Sequence, residues 1–130
     1  MENKIIFDYD RPSGILFVED HWDVRTRQDV DDLIAEYDRY LSSITDKVWI
    51  VAHIDGLVVS GEIADYYGER ARKVAIAQVL GLARWGTDSV ARMTLRTTAM
   101  KAKMSPVIYS TRMEAIQAIE KMKAEHAAQK

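Results

Sequence analysis

Two short runs rich in Ile, Phe and Val open the chain, Lys4 to Asp10 (KIIFDYD) and Ile15 to Glu19 (ILFVE), with Arg11-Pro12-Ser13-Gly14 between them. Proline fixes φ and glycine admits φ > 0, so the pattern predicts a β-hairpin. The apolar spacing then changes: Val30, Leu33, Ile34, Tyr37 and Leu41 recur at helical intervals behind Thr26-Arg27-Gln28-Asp29, which sets a hydroxyl and a carboxylate at capping-box spacing. A helix ending near Ser43 is expected. Lys47 to Ile54 (KVWIVAHI) is almost continuously apolar and β-branched, the pattern of a strand covered on both faces, and is expected to be the central strand.

Ser60 is placed to cap a second helix, with Ile63, Tyr66, Tyr67, Ala71 and Val74 as its buried stripe and Gly68 as its weak point. Gln78 to Trp85 reads as a strand ending in the turn Gly86-Thr87-Asp88-Ser89. Thr87 or Asp88 caps a third helix to about Lys103, and Ser105-Pro106 breaks it before the strand Val107-Ile108-Tyr109. Ser110 or Thr111 caps a last helix with Met113, Ile116, Ile119 and Met122 inward. The residues from Ala124 to Lys130 lose the apolar period and are expected to fray.

The order β-β-α-β-α-β-α-β-α requires helical crossovers between most strands, and therefore predicts an α/β fold with a mostly parallel five-stranded sheet and four helices. A length of 130 residues suits one domain, taken as residues 1–123 followed by the frayed tail 124–130. There is no cysteine, which excludes disulfides, thiolate metal sites and a cysteine nucleophile. A net charge of −2, with acids and bases interspersed, gives no reason to expect nucleic acid as the main partner. No signal-peptide pattern opens the chain and no run is apolar enough for a membrane span, so the expected compartment is the cytoplasm.

The stretch Val48-Trp49-Ile50-Val51-Ala52-His53-Ile54-Asp55-Gly56-Leu57 with Ser60-Gly61 opening a helix, and the ending Val107-Ile108-Tyr109-Ser110-Thr111-Arg112-Met113-Glu114-Ala115-Ile116, resemble STAS-like domains. That fold is shared by bacterial anti-sigma-factor antagonists and the cytoplasmic domains of sulfate transporters. In the antagonists, the turn after the central strand carries an Asp-Ser-Ser-Gly type motif whose serine is phosphorylated by a partner kinase. Only Ser60-Gly61 matches that motif here, and Val59 stands where the aspartate would precede it. The resemblance implies a non-enzymatic regulatory or protein-interaction domain with Ser60 as a candidate phosphosite. It also implies no cofactor and a protein partner, such as a kinase, another signalling protein or a second copy of the chain.

Other residues suggest other chemistry. His53 and Asp55 lie two apart on a strand, where Asp55 would orient His53 for proton transfer; a histidine in an apolar strand is more often a satisfied core residue, and no nucleophile is evident. Arg84, Trp85, Thr87, Asp88 and Ser89 lie where a strand runs into a helix, offering a cation, an aromatic face and helix N–H groups to an anion at the C-terminal edge of the sheet. This small-molecule or anion-binding module, with His53 and Asp55 beside it, is the alternative to the interaction domain. Arg92, Arg96, Lys101 and Lys103 read as a solvated basic face whose apolar contacts are Val90, Met93, Leu95 and Met100. His21, His53 and His126 lack metal-ligand spacing, so no metal is expected.

Overall fold

The computed structural model describes residues 2–129. Its elements in chain order are β1 (Lys4–Asp10), β2 (Ile15–Val24), α1 (Arg27–Leu41), β3 (Val48–Val59), α2 (Ala64–Gln78), β4 (Val79–Trp85), α3 (Ser89–Lys101), β5 (Ile108–Tyr109) and α4 (Arg112–Ala128). The fold is α/β, with one five-stranded, mostly parallel sheet and four helices. Each strand lies beside its predecessor in the order β1-β2-β3-β4-β5. Only the β1–β2 hairpin is antiparallel.

That sequential order decides where the helices go. Crossovers of one hand that always step in the same direction lay their helices on the same face, and α1, α2 and α3 pack side by side over the first face. After β5 there is no further strand to reach, and α4 turns back across the second face, where Ala115 and Ile119 cover Trp49, Val51 and Ala83. The first face holds the larger core, built from Leu16, Val18, Ile50, Ile54 and Leu57 of the sheet against Val30, Leu33 and Ile34 of α1. Trp49, Val51 and Ile54 are buried, in line with a central strand covered on both sides.

Several sequence expectations need correction. β2 does not stop at Glu19 but continues to Val24, because its polar residues are held in the ladder with β3; a register shift between Glu19 and His21 accompanies this. β3 likewise extends to Val59. Ser60 does not cap α2: the helix starts at Ala64 with Ile63 in the cap position and no side-chain cap bond, after a turn in which the Ile63 N–H donates to the Ser60 carbonyl. Gly68 is less a weak point than a contact, since a Cβ there would lie 3.0 Å from Ala102 Cβ and 3.3 Å from Thr98 O, where α2 meets α3.

On α3 only Leu95 of the expected apolar contacts is buried; Val90, Met93 and Met100 are exposed. On α4, Met113 is 61 % exposed because it lies in the first turn, beyond the edge of the sheet, whereas Ile119 is buried. Nor does the helix fray at Ala124. It runs to Ala128, carried by alanines of high helix propensity and by His126, whose ring meets Trp49 edge-on at 5.8 Å. Lys130 lies outside the described residues. Among those described, no helix is long and apolar enough to cross a membrane.

Candidate functional site

Adjacent residues of a strand point to opposite faces, and this separates the groups expected to converge at the end of β4. Arg84 is directed to the first face, beneath α2 and α3, and Trp85 to the second. The start of α3 carries no open anion site either. The Thr87 amide donates to both carboxylate oxygens of Asp55, at 2.9 and 3.1 Å, the Asp88 amide donates at 3.0 Å and the Thr87 hydroxyl at 3.2 Å. Asp88 is turned inward as the cap of α3, accepting from the Ala91 amide at 2.8 Å. Ser89 is exposed at the first residue of the helix. Asp55 thus occupies the position an external anion would have taken.

Gly86 makes this arrangement possible. A Cβ there would lie 2.3 Å from Asp55 Oδ1 and 2.9 Å from Ile54 Cγ1, so only glycine lets the β4–α3 turn close on the carboxylate. Burial pushes Asp55 upward, but the amides of Asp88 and Thr87 and the bond from His53 outweigh it and hold its carboxyl below the ordinary range. His53 Nε2 is 3.2 Å from Asp55 Oδ2, as the spacing of the two residues implies. The carboxylate stands between the Thr87 hydroxyl and the imidazole. For nucleophilic catalysis the imidazole must itself reach the hydroxyl, so this order does not activate Thr87.

The His53 ring also stacks on Trp85, with centroids 4.0 Å apart and planes 8° from parallel. This pair floors a groove of about 380 Å³ on the second face, beside α4. Cross-strand register sets Ile6, Glu19, His53 and Trp85 in one row, with Asp8, Phe17 and Val51 in the next. Arg112, from the first turn of α4, lies over the Phe17 ring at 4.3 Å. The groove exists because α4 covers β3 and β4 but leaves this half of the sheet bare. It therefore gathers His53 and Trp85 of the sequence candidates, and adds Ile6, Asp8, Phe17, Glu19 and Arg112, which sequence reasoning missed.

On the first face, a cavity of about 70 Å³ lies between the sheet and the helices, and Arg84 lines it together with Asp20, Tyr37 and Tyr67. Asp20 is 5 % exposed. Burial raises its pKa to about 6, against the lowering effect of the Tyr37 bond and of Arg84. The Tyr37 hydroxyl donates to Asp20 Oδ1 at 2.5 Å. Burial pushes the Tyr37 and Tyr67 phenols up and the Arg84 guanidinium down. The alternation Leu16, Val18, Asp20, Trp22, Val24 was the available signal for Asp20, since it puts a carboxylate in line with core residues.

Ser60 is half-buried between β3 and α2, with its amide donating to the Val24 carbonyl at 2.9 Å. Arg92 is not part of a solvated basic face: it donates to the carbonyls of Gly86, Tyr109 and Ile108 at 2.7 to 3.1 Å. No group of three or more His, Asp or Glu side chains among the described residues could hold a metal ion. The chain matches no protein-family model and no curated protein.

Proposed function

We propose that this chain is a non-enzymatic regulatory or protein-interaction domain of STAS-like type, and that the groove beside α4 is its contact surface. One observation carries the reading: the second face of a mostly parallel sheet, which such folds ordinarily cover, is half bare and presents Ile6, Phe17 and the His53–Trp85 stack. The carboxylates of Asp8 and Glu19 stand at this surface, and Arg112 is engaged with Phe17. The complementary partner is a protein segment with an apolar side chain next to a lysine or arginine. Its apolar group would lie on the aromatic floor and its cation against Glu19 and Asp8. Under the STAS-like reading a kinase would act at Ser60, whose hydroxyl makes no hydrogen bond among the described residues.

The test is site-directed photo-cross-linking in the native cell. A photoreactive residue at Ile6 is expected to label one protein species, and the same residue at Ala35, exposed on α1 across the sheet, is expected not to label it. Phe17→Asp should remove the Ile6 product. Equal labelling from both positions, or none from Ile6, would rule out the groove. If Ser60→Asp leaves the Ile6 product unchanged, the control point is lost and the contact surface stands.

A further inference from the structure

The sheet ends on β1 at one side and on β5 at the other. β5 is only Ile108–Tyr109 and offers a further strand almost nothing to pair with. β1 runs over 7 residues, Lys4–Asp10, lies beside β2 without a register shift and contains no proline. Edge strands are ordinarily kept from adding a neighbour by proline, bulges, shortness or charge. Of these β1 has only its charges, Lys4, Asp8 and Asp10. Apart from the turn bonds that Gly14 and Ser13 donate to the Asp10 carbonyl, its backbone makes hydrogen bonds only within the β1–β2 ladder among the described residues. On the first face Ile5, Phe7 and Tyr9 are half-buried, even though the Phe7 ring stacks on Tyr40 at 4.2 Å, because no strand lies outside them.

We infer that the outer edge of β1 binds a second copy of this chain, β1 against β1 in antiparallel, about a two-fold axis through Phe7. The charges select both the occupant and the register. Antiparallel pairing that keeps each side chain on its own face sets even positions against even ones. With Phe7 opposite its own copy, the whole of β1 is paired, Ile5 faces Tyr9, Ile6 faces Asp8, and Lys4 faces Asp10 at both ends. Sliding by one step in either direction pairs fewer residues; it sets Asp8 against Asp8 one way and Asp10 against Glu2 the other. Opposite charges directly across a strand pair are favourable and like charges are not, so the register centred on Phe7 wins. The contact is the same patch on both copies, and β5 offers no second edge, so assembly closes at the dimer. The edge is distinct from the floor of the groove beside α4: Phe17→Asp, which should clear the groove, leaves the edge unchanged, and either reading can fail without the other.

The test is sedimentation equilibrium of the full chain at neutral pH and low salt, as the native sequence and as the variants Lys4→Asp and Asp10→Lys. Both residues are exposed at the ends of β1, so the substitutions leave the core untouched. The native chain should show a reversible equilibrium between monomer and dimer, with no larger species. Each variant alone sets like charges opposite each other at both ends and should dimerise roughly tenfold more weakly or worse. Mixed in equal amounts, one variant presents carboxylates and the other ammonium groups at both ends of the edge, and dimerisation should return to native strength. Loss of folding in either variant cannot produce that recovery. A native chain that stays monomeric up to its solubility limit, dimers indifferent to the single charge reversals, a mixture as weak as its components, or growth beyond two copies would each overturn the proposal.

Discussion

An aspartate on a core-facing position of a strand costs free energy whenever it is ionised, and Asp20 is such a residue. Its folded pKa of about 6 lies above the unfolded value of 3.8. The folded state therefore holds the proton more tightly, and the resulting contribution to stability is complete below the unfolded value and lost as the pH rises through 6. Asp20→Asn, which keeps an acceptor for Tyr37, should remove this loss and gain roughly 2–3 kcal/mol over the native chain at neutral pH relative to acid, read from urea unfolding. A variant that tracks the native chain at both pH values would show that Asp20 titrates normally. Asp55 has the opposite sign: its folded pKa is depressed, so its contribution is present above the unfolded value and lost as the pH falls through the folded one. Asp55→Asn should cost about 1–3 kcal/mol at neutral pH and little in strong acid. Only part of this chemistry was legible in the sequence. The His53–Asp55 contact follows from their spacing on a strand. The burial of Asp20 is carried by the alternation from Leu16 to Val24, but the run Glu19 to Asp23 is polar enough to mask it and to read as the end of the hairpin.

Helix caps and turns separate what local sequence decides from what packing decides. Thr26 and Asp29 form the reciprocal cap of α1, and Thr111 caps α4, as their spacing to the following helix predicts. Ser60 has the right residue type for a cap, but pairing of β3 with β2 carries the strand to Val59 and delays the helix to Ala64. The convergence expected of Arg84 and Trp85 fails on strand alternation alone, a rule that needs only the strand assignment. Gly86→Ala should cost about 1–3 kcal/mol through the clash with Asp55 and Ile54, checked by thermal unfolding. Arg92→Lys should speed hydrogen exchange at the amides of β5, because a lysine lacks the planar fork that reaches three carbonyls at once. Unchanged exchange would mean that β5 is held by its pairing with β4 alone.

For the molecule as a whole, α4 is the sole helical cover of the second face among the described residues, and its far end is anchored by His126 on Trp49 and by Lys123 Nζ, which donates to the Ser13 carbonyl at 2.5 Å. A chain ending at Lys123 should remain folded but lose about 0.5–1.5 kcal/mol with the His126–Trp49 contact, and Trp49 emission should shift red; an unaltered transition would make the last turns of α4 dispensable. The neighbour-to-neighbour strand order also bears on how the chain assembles. Since every strand joins the one just before it, the sheet can grow in the direction of synthesis, each crossover closing on a surface already made. The tie between Lys123 and Ser13, 110 residues apart, has to wait until the end. Until then Trp49 and Val51 lie uncovered, so the interval before α4 docks is when the nascent chain is most prone to stick to others and most in need of a chaperone.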